Sequence, residues 1–94
     1  MPYEVRYSEE AVETLKTLRA FDRTTILDQI EQILMVNPML ESTAKIKALR
    51  QPAPTQYRFR VGEFRIFYDV KEEVVQIVKI LSKEDSIRYL EQGQ

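Results

Sequence analysis

The chain has 94 residues, which is the size of one small domain, and we predict a single domain over residues 1–94. A chain this short buries only about 60–65% of the surface that its unfolded form exposes, so it commonly needs a disulfide, a metal or a partner for stability. It contains neither Cys nor His, which excludes disulfides and argues against a conventional zinc site. The composition therefore favours a partner subunit as the remaining stabilising device.

Membrane insertion and secretion find no support in the sequence. No apolar run approaches the roughly 20 residues that span a bilayer. The opening residues 1–6 have neither the basic n-region nor the apolar h-region of a secretion signal. Together with the absence of Cys, this predicts a cytoplasmic protein.

The formal net charge of −1 conceals an uneven distribution. Residues 1–43 carry a net charge of −4, residues 44–70 carry +4, and residues 71–94 carry −1. A protein that binds nucleic acid through bulk charge alone is normally basic overall, and this one is not. The pattern predicts a local basic surface formed by the middle of the chain.

The first half of the chain is predicted to form one strand and two helices. Tyr3–Tyr7 alternates apolar and charged residues, which indicates a half-buried strand. Ser8 is a plausible N-cap for a first helix that runs to about Ala20. Asp22 is expected to cap a second helix, which ends before Pro38 because proline disfavours helix at the preceding residue. Two helices joined by so short a loop should form an antiparallel hairpin.

The second half is predicted to form strands joined by tight turns. Gly62-Glu63 is a two-residue hairpin loop with glycine first, as a type II′ turn requires. A short helix over residues 83–91 follows, with Ile87 and Leu90 as its apolar contacts. The predicted strands are Lys45–Leu49, with Ile46 pointing inward, Gln56–Val61, Phe64–Val70 and Val74–Ser82.

This order predicts an α+β fold. We expect a small antiparallel β-sheet of about four strands, with the N-terminal helical hairpin packed on one face (β-α-α-β-β-β) and a short C-terminal helix.

The predicted hairpin has an informative register. A two-residue loop pairs Arg60 with Arg65 and Arg58 with Phe67, and places these four side chains on the face away from the core. Two arginines directly opposite each other repel. Guanidinium groups beside an aromatic ring on a stiff sheet suit a ligand made of phosphates and bases. A solvated outer face, where arginine is common, explains the same pattern.

The last predicted strand leaves one register open. Val74–Ser82 is apolar on both faces, which indicates a central strand. Depending on whether the preceding turn has two or three residues, Lys79 and Lys83 lie on the arginine face or opposite it. The simplest structural role for Lys79 is a side chain that extends to solvent at a sheet edge.

The residue types limit the available chemistry. Nucleophilic triads that need a histidine base are excluded. With only Gly62 and Gly93, the chain has no glycine-rich phosphate loop. The remaining Arg, Lys and Tyr side chains suit phosphoryl chemistry on RNA, where charge develops on the phosphate.

Two segments carry a resemblance to a known family. Tyr3–Ala11, followed by Leu15 and Leu18, resembles the opening of RelE/ParE-type toxins. Tyr57–Asp69 is close to their core pattern Y-R-x-R-x-G-x-[YF]-R-x-x-Y, and Ile30 through Pro38 resembles the end of their second helix. The resemblance covers nearly the whole chain.

This resemblance implies the toxin of a type II toxin–antitoxin system, neutralised by a cognate antitoxin protein. RelE-like members enter the ribosomal A site and cut mRNA without a metal or other cofactor, through attack of the 2′-hydroxyl on the adjacent phosphate. ParE-like members instead poison DNA gyrase and lack the ribonuclease residues. A third alternative is an attenuated, non-catalytic toxin that acts only as an antitoxin-binding module.

The resemblance also implies site residues. Arg65 matches a phosphate-stabilising arginine, Lys83 falls near a general acid, and Tyr89 falls near the attacking hydroxyl. These three would be catalytic, and the RNA-binding cations would be Arg58, Arg60, Lys45 and Lys47. The chain departs from the family in being slightly acidic overall and in following Lys83 with two acidic residues, Glu84 and Asp85.

Overall fold

The computed structural model of the chain describes residues 2–41 and 45–92. The elements in chain order are β1 (Glu4–Tyr7), α1 (Glu9–Thr17), α2 (Ala20–Gln29), β2 (Ile46–Ala48), β3 (Tyr57–Val61), β4 (Phe64–Lys71), β5 (Val74–Ser82) and α3 (Lys83–Gln92). One π-helical turn over Ile30–Leu34 directly follows α2.

The strands form one sheet in the order β1-β5-β4-β3-β2. Strands β2 to β5 are antiparallel neighbours, whereas β1 pairs with β5 in parallel. The predicted α+β class, helical hairpin and C-terminal helix are confirmed. The sheet differs from the prediction because it is mixed and, within the described residues, has five strands. A parallel pair needs a long crossover rather than a turn, so no local signal in the sequence indicates it.

Helix α1 is attached to the sheet through its N-cap. The Ser8 hydroxyl oxygen accepts a hydrogen bond from the Ala11 amide at 3.0 Å, which confirms the predicted cap. The same hydroxyl donates to the carbonyl oxygen of Val78 on β5 at 2.7 Å. Ser8 therefore ends β1, begins α1 and holds this helix terminus against β5.

The junction between the two helices lies about three residues earlier in the chain than predicted. Helix α1 ends at Thr17 rather than Ala20, and α2 begins at Ala20, so Asp22 lies in its first turn instead of at the N-cap. Arg23 caps the C-terminal end of α1, since its guanidinium donates to the carbonyl oxygens of Leu15 and Leu18, both at 2.8 Å.

The core lies between the two N-terminal helices and one face of the sheet. Tyr68 is fully buried there, and its hydroxyl donates to the carbonyl oxygen of Pro38 at 2.6 Å. Burial raises the pKa of Tyr68 well above its ordinary value. The buried apolar side chains of this core are Ala11, Leu15, Ile26, Ile30, Leu34, Ile46, Phe59, Val61, Ile66, Tyr68, Val75, Ile77 and Ile80.

Both tight turns of the sheet contain two residues. The β3–β4 turn has Gly62 at φ +57°, and Arg60 pairs with Arg65 as the hairpin register predicts. The β4–β5 turn places Glu72 at φ +56°, a left-handed conformation that favours glycine. The β4–β5 turn, for which the sequence allowed two or three residues, therefore has two.

A β-bulge then shifts the register of β5. Phe67 pairs with Lys79 and Tyr68 pairs with Ile77, so Val78 is the extra residue. Beyond the bulge, Ile80 joins the core and Lys79 lies on the arginine face. The prediction of a central strand is confirmed, since β5 lies between β1 and β4.

Helix α3 covers part of the opposite face of the sheet. Phe67 is fully buried, and its ring contacts that of Tyr89 edge-to-face with centroids 4.9 Å apart. The predicted inward contact of Ile87 is wrong, because this side chain is 58% exposed while Ser86 is buried. None of the helices in the described ranges is long and apolar enough to cross a membrane.

Candidate nucleic-acid interface

The sheet register collects basic residues from four strands on the face that α3 partly covers. Arg60 pairs with Arg65, and the Arg60 amide donates to the Lys45 carbonyl oxygen at 2.8 Å. We name Lys45, Arg60 and Arg65 the hairpin row. One step along the strands lies the aromatic row, which comprises Lys47, Arg58, Phe67 and Lys79. The two rows together form the basic face.

Same-face residues on one strand are about 6.8 Å apart and neighbouring strands about 4.8 Å apart. The basic face is therefore a compact patch, and the next row along the strands already contains Asp69, Gln76 and Arg6.

Four cations of the basic face, located just before β2, on β2 and on β3, remain available to a ligand. Lys45, Lys47 and Arg60 are exposed and Arg58 is half-buried. Within residues 2–41 and 45–92, none of these four side chains forms an ion pair with a carboxylate. No carboxylate of the described residues therefore occupies their charged groups, and an external anion can bind to them.

Arg65 is the buried cation of the basic face, with 8% of its surface exposed. Its Nη1 donates to the carbonyl oxygens of Gly62 and Phe64, each at 2.9 Å. Burial, and next the charges of Arg58 and Arg60, lower the pKa of Arg65, while Glu63 raises it. The hairpin turn therefore holds this guanidinium in one orientation, next to two further arginines.

Tyr89 stands over the aromatic row. Its ring packs on Phe67, and the Nζ atom of Lys79 lies 5.7 Å from the ring centroid. Burial raises the pKa of Tyr89, against the opposing effect of Lys79, while Asp69 and Glu10 raise it further. A cleft of about 270 Å³ opens beside this tyrosine, lined by Lys79, Leu81, Asp85, Arg88 and Tyr89.

Lys83 lies apart from Tyr89. It is the exposed first residue of α3, and its amide donates to the Glu63 carbonyl oxygen in the hairpin turn at 2.9 Å. Tyr89 follows Lys83 by six positions along the helix. This corresponds to about 9 Å along the axis and to one full turn plus about two thirds of a turn around it. The structure brings Lys45, Lys47, Arg58, Arg60 and Arg65 onto one face, with Lys83 at one end of α3 and Tyr89 further along it.

Sequence reasoning missed two residues of this region. The sequence leaves the face of Lys79 open and assigns Glu10 to no site. The structure joins them, because the Lys79 ammonium forms an ion pair with the Glu10 carboxylate. Only the bulge at Val78 turns Lys79 to this face, and no residue pattern in β5 indicates that bulge.

Comparison with known proteins identifies the family. Residues 5–87 match the family described as the ParE toxin of type II toxin–antitoxin systems, parDE. The chain therefore belongs to this family within the RelE/ParE superfamily, and it is a toxin of the type II toxin–antitoxin class. A search of curated proteins gives no significant match.

Solved structures of RelE toxins share the fold. A substituted Escherichia coli RelE toxin in the free state has a TM-score of 0.73 at 17% identity, covering 98% of this chain and 97% of that one. The RelBE2 toxin–antitoxin complex from Mycobacterium tuberculosis has a TM-score of 0.70 at 20% identity, with coverages of 87% and 99%. The archaeal RelE–RelB complex from Pyrococcus horikoshii OT3 has a TM-score of 0.64 at 24% identity, with coverages of 88% and 97%.

Proposed function

We propose that this toxin is a metal-independent, ribosome-dependent mRNA endoribonuclease that inhibits translation in the cytoplasm and needs no cofactor. The observation that carries the proposal is the basic face, where cations from four strands form two adjacent rows. Single-stranded RNA presents phosphates at short intervals, and such a patch suits them better than it suits a neutral ligand.

The hairpin row would bind the scissile phosphate. Arg65 is already oriented by two backbone carbonyls, so little conformational entropy is lost when its remaining N–H groups bind an anion. Arg60 is exposed on the neighbouring strand and would approach the same phosphate from solvent. Negative charge that develops on the phosphate oxygens would be stabilised by both guanidinium groups, and their mutual repulsion would be offset at the same time.

Tyr89 and Lys83 would act at the two oxygen atoms whose bonds change, which are the attacking 2′-oxygen and the leaving 5′-oxygen. Because the pKa of Tyr89 is raised, its phenol stays protonated near neutral pH. It would therefore orient the attacking 2′-hydroxyl by hydrogen bonding, and the proton of that hydroxyl would pass to solvent water as the 2′-oxygen bonds to phosphorus and the bond from phosphorus to the 5′-oxygen breaks. Lys83, at the hairpin end of α3, would donate a proton to the leaving 5′-oxygen. Lys45, Lys47 and Arg58 would bind neighbouring phosphates.

The proposal includes a cognate antitoxin protein that binds this toxin. The similar complexes from Mycobacterium tuberculosis and Pyrococcus horikoshii contain RelE-type toxins together with their antitoxins. We expect a corresponding partner to bind this chain and to block access of mRNA and the ribosome to the basic face.

Inhibition of DNA gyrase is the second candidate, and the family description as a ParE toxin favours it. In that case the basic face would contact a protein or DNA surface, and Lys83 and Tyr89 would have no chemical role. The acidic residues Glu84 and Asp85 beside Lys83 also favour a non-catalytic surface, including an attenuated toxin that only binds its antitoxin.

In vitro translation with mapping of mRNA 5′ ends tests the first candidate. The wild-type protein should create new 5′ ends only when ribosomes are present. Substituting Arg58 and Arg60 with Gln should reduce cleavage about 100-fold or more, since each lost phosphate contact weakens RNA binding. The control replaces two exposed cations, Lys16 on α1 and Arg19 in the junction between the helices, with Gln and should cleave normally.

Purified gyrase separates the two candidates. Absence of new 5′ ends together with stalled supercoiling would support the gyrase poison and contradict the ribonuclease. If neither effect is seen, the remaining candidate is the attenuated toxin that only binds its antitoxin.

A further inference from the structure

The ion pair between Glu10 and Lys79 lies where three elements meet. Strand β1 ends at Tyr7, and the Ser8 amide and hydroxyl donate to the carbonyl oxygens of Ile77 and Val78, at 2.9 and 2.7 Å. These two bonds hold the first turn of α1 against β5 at the bulge. As a result, Glu10 reaches around the end of β1 to Lys79 on the outer face of the sheet.

The same lysine also contacts α3. Its Nζ atom lies 5.7 Å from the centroid of the Tyr89 ring, within the distance at which a cation attracts an aromatic face. Phe67, the cross-strand neighbour of Lys79, supports the ring of Tyr89 from below. Tyr89 is therefore held by one apolar and one cationic contact, and Glu10 keeps the cation in place.

We propose that Glu10 and Lys79 are positioning residues for Tyr89, and that their ion pair fixes the tyrosine over the aromatic row of the basic face. The catalytic consequence rests on the proposed ribonuclease function, in which Tyr89 orients the 2′-hydroxyl.

Stability alone does not account for this pair. The Lys79 side chain is 31% exposed and that of Glu10 is 67% exposed, so solvent screens most of their attraction. A second pair on the same helix, Glu13 and Lys16 at 3.7 Å, is more exposed, at 72% and 68%, and makes no hydrogen bond, ion pair or ring contact with the sheet or α3 in the described ranges. Of the two lysines, Lys79 is the one that lies beside a tyrosine ring.

The electrostatic surroundings of Tyr89 give a measurable signature. Lys79 faces it from β5, Asp69 from β4 and Glu10 from α1, while Asp85 and Arg88 of α3 line the same cleft. Loss of Lys79 removes the cation that lowers the pKa of Tyr89, so the pKa should rise. Loss of the Glu10 charge should release Lys79 from the ring, and because Lys79 affects the Tyr89 pKa more than Glu10 does, that pKa should again rise, by less than on loss of Lys79.

The experiment is a pH titration of the whole protein labelled with ¹³Cζ-tyrosine, in which Tyr89→Phe assigns the Tyr89 resonance. Lys79→Met, which keeps the aliphatic stem, should move the Tyr89 midpoint to higher pH, and Lys79→Arg should restore it. Glu10→Gln, which frees Lys79, should also move it to higher pH, by less than Lys79→Met, and a move to lower pH would show that Lys79 stays in place without Glu10. The controls Lys16→Met and Glu13→Gln should leave it unchanged.

An unchanged midpoint in Lys79→Met, or an equal shift in Lys16→Met, would overturn the positioning role. Cleavage of mRNA gives the second readout: Lys79→Met should be at least about tenfold slower, because a small displacement of a reacting group is costly, and Lys79→Arg should recover most of the rate. Expected midpoint shifts in a protein that cuts no RNA would support the positioning of Tyr89 and overturn its ribonuclease role.

Discussion

Replacing Arg60 with Gln should make the protein more stable while weakening its binding of anions. Arg60 is exposed on β3 and lies directly opposite Arg65 on β4. Arg65 is buried, and burial together with the charges of Arg58 and Arg60 lowers its pKa. Since an arginine still carries its charge at neutral pH, the repulsion is present under all ordinary conditions and pH does not relieve it.

The expected gain follows from the cross-strand geometry. Like charges directly opposite each other in an antiparallel pair cost about 0.2–1 kcal/mol. In a domain of this size, 1 kcal/mol corresponds to about 4–8 °C in Tm, so Arg60→Gln should melt about 1–8 °C higher. Raising the salt concentration from about 0.1 M to about 1 M shortens the Debye length from about 10 Å to about 3 Å, so the gain should then shrink.

Thermal and urea unfolding at the two salt concentrations measure this effect. Lys16→Gln serves as the control, because it removes one exposed positive charge that already has a carboxylate partner. Added inorganic phosphate should stabilise the wild type more than Arg60→Gln, since only the wild type retains both guanidinium groups. A variant that is less stable than the wild type, or a gain that persists at high salt, would refute the reasoning.

Three further changes test the fold. Glu72→Gly should raise the urea midpoint, by about 1 kcal/mol of unfolding free energy, because it relieves the left-handed φ of +56°; a lower midpoint would contradict this. Ser8→Ala should cost about 1–2 kcal/mol by the same measurement, since it removes both the cap of α1 and the bond to Val78, and an effect below about 0.3 kcal/mol would show that the cap is dispensable. Tyr68→Phe should cost about 1–3 kcal/mol, because the buried carbonyl of Pro38 loses its donor. The raised pKa of Tyr68 keeps its proton bound in the folded state, so wild-type stability should fall as pH rises above the ordinary value of 10.0, and Tyr68→Phe should lack this part of the decline.

Local signals predicted the hairpin correctly because its geometry depends on neighbouring residues. Gly62 supplies the positive φ that the turn requires, and a two-residue turn leaves one pairing for Arg60 and Arg65. Ser8 was likewise predictable as a cap, since a side chain that bonds the amide three residues on is a local device. In contrast, the C-terminal end of α1 depends on Arg23, which lies in the next helix. The predicted end of α1, at about Ala20, was therefore too far along the chain.

The sequence by itself determined the α+β class, the two helices, the hairpin register and the cluster of arginines on one side of it. Only the tertiary structure decided the parallel pairing of β1 with β5, the bulge at Val78 and the face against which α3 packs. These features depend on contacts between residues far apart in the chain, and a one-residue bulge reverses the faces of every residue beyond it. For that reason Lys79 and Glu10 lie beside Tyr89, although no spacing in the sequence brings the three together.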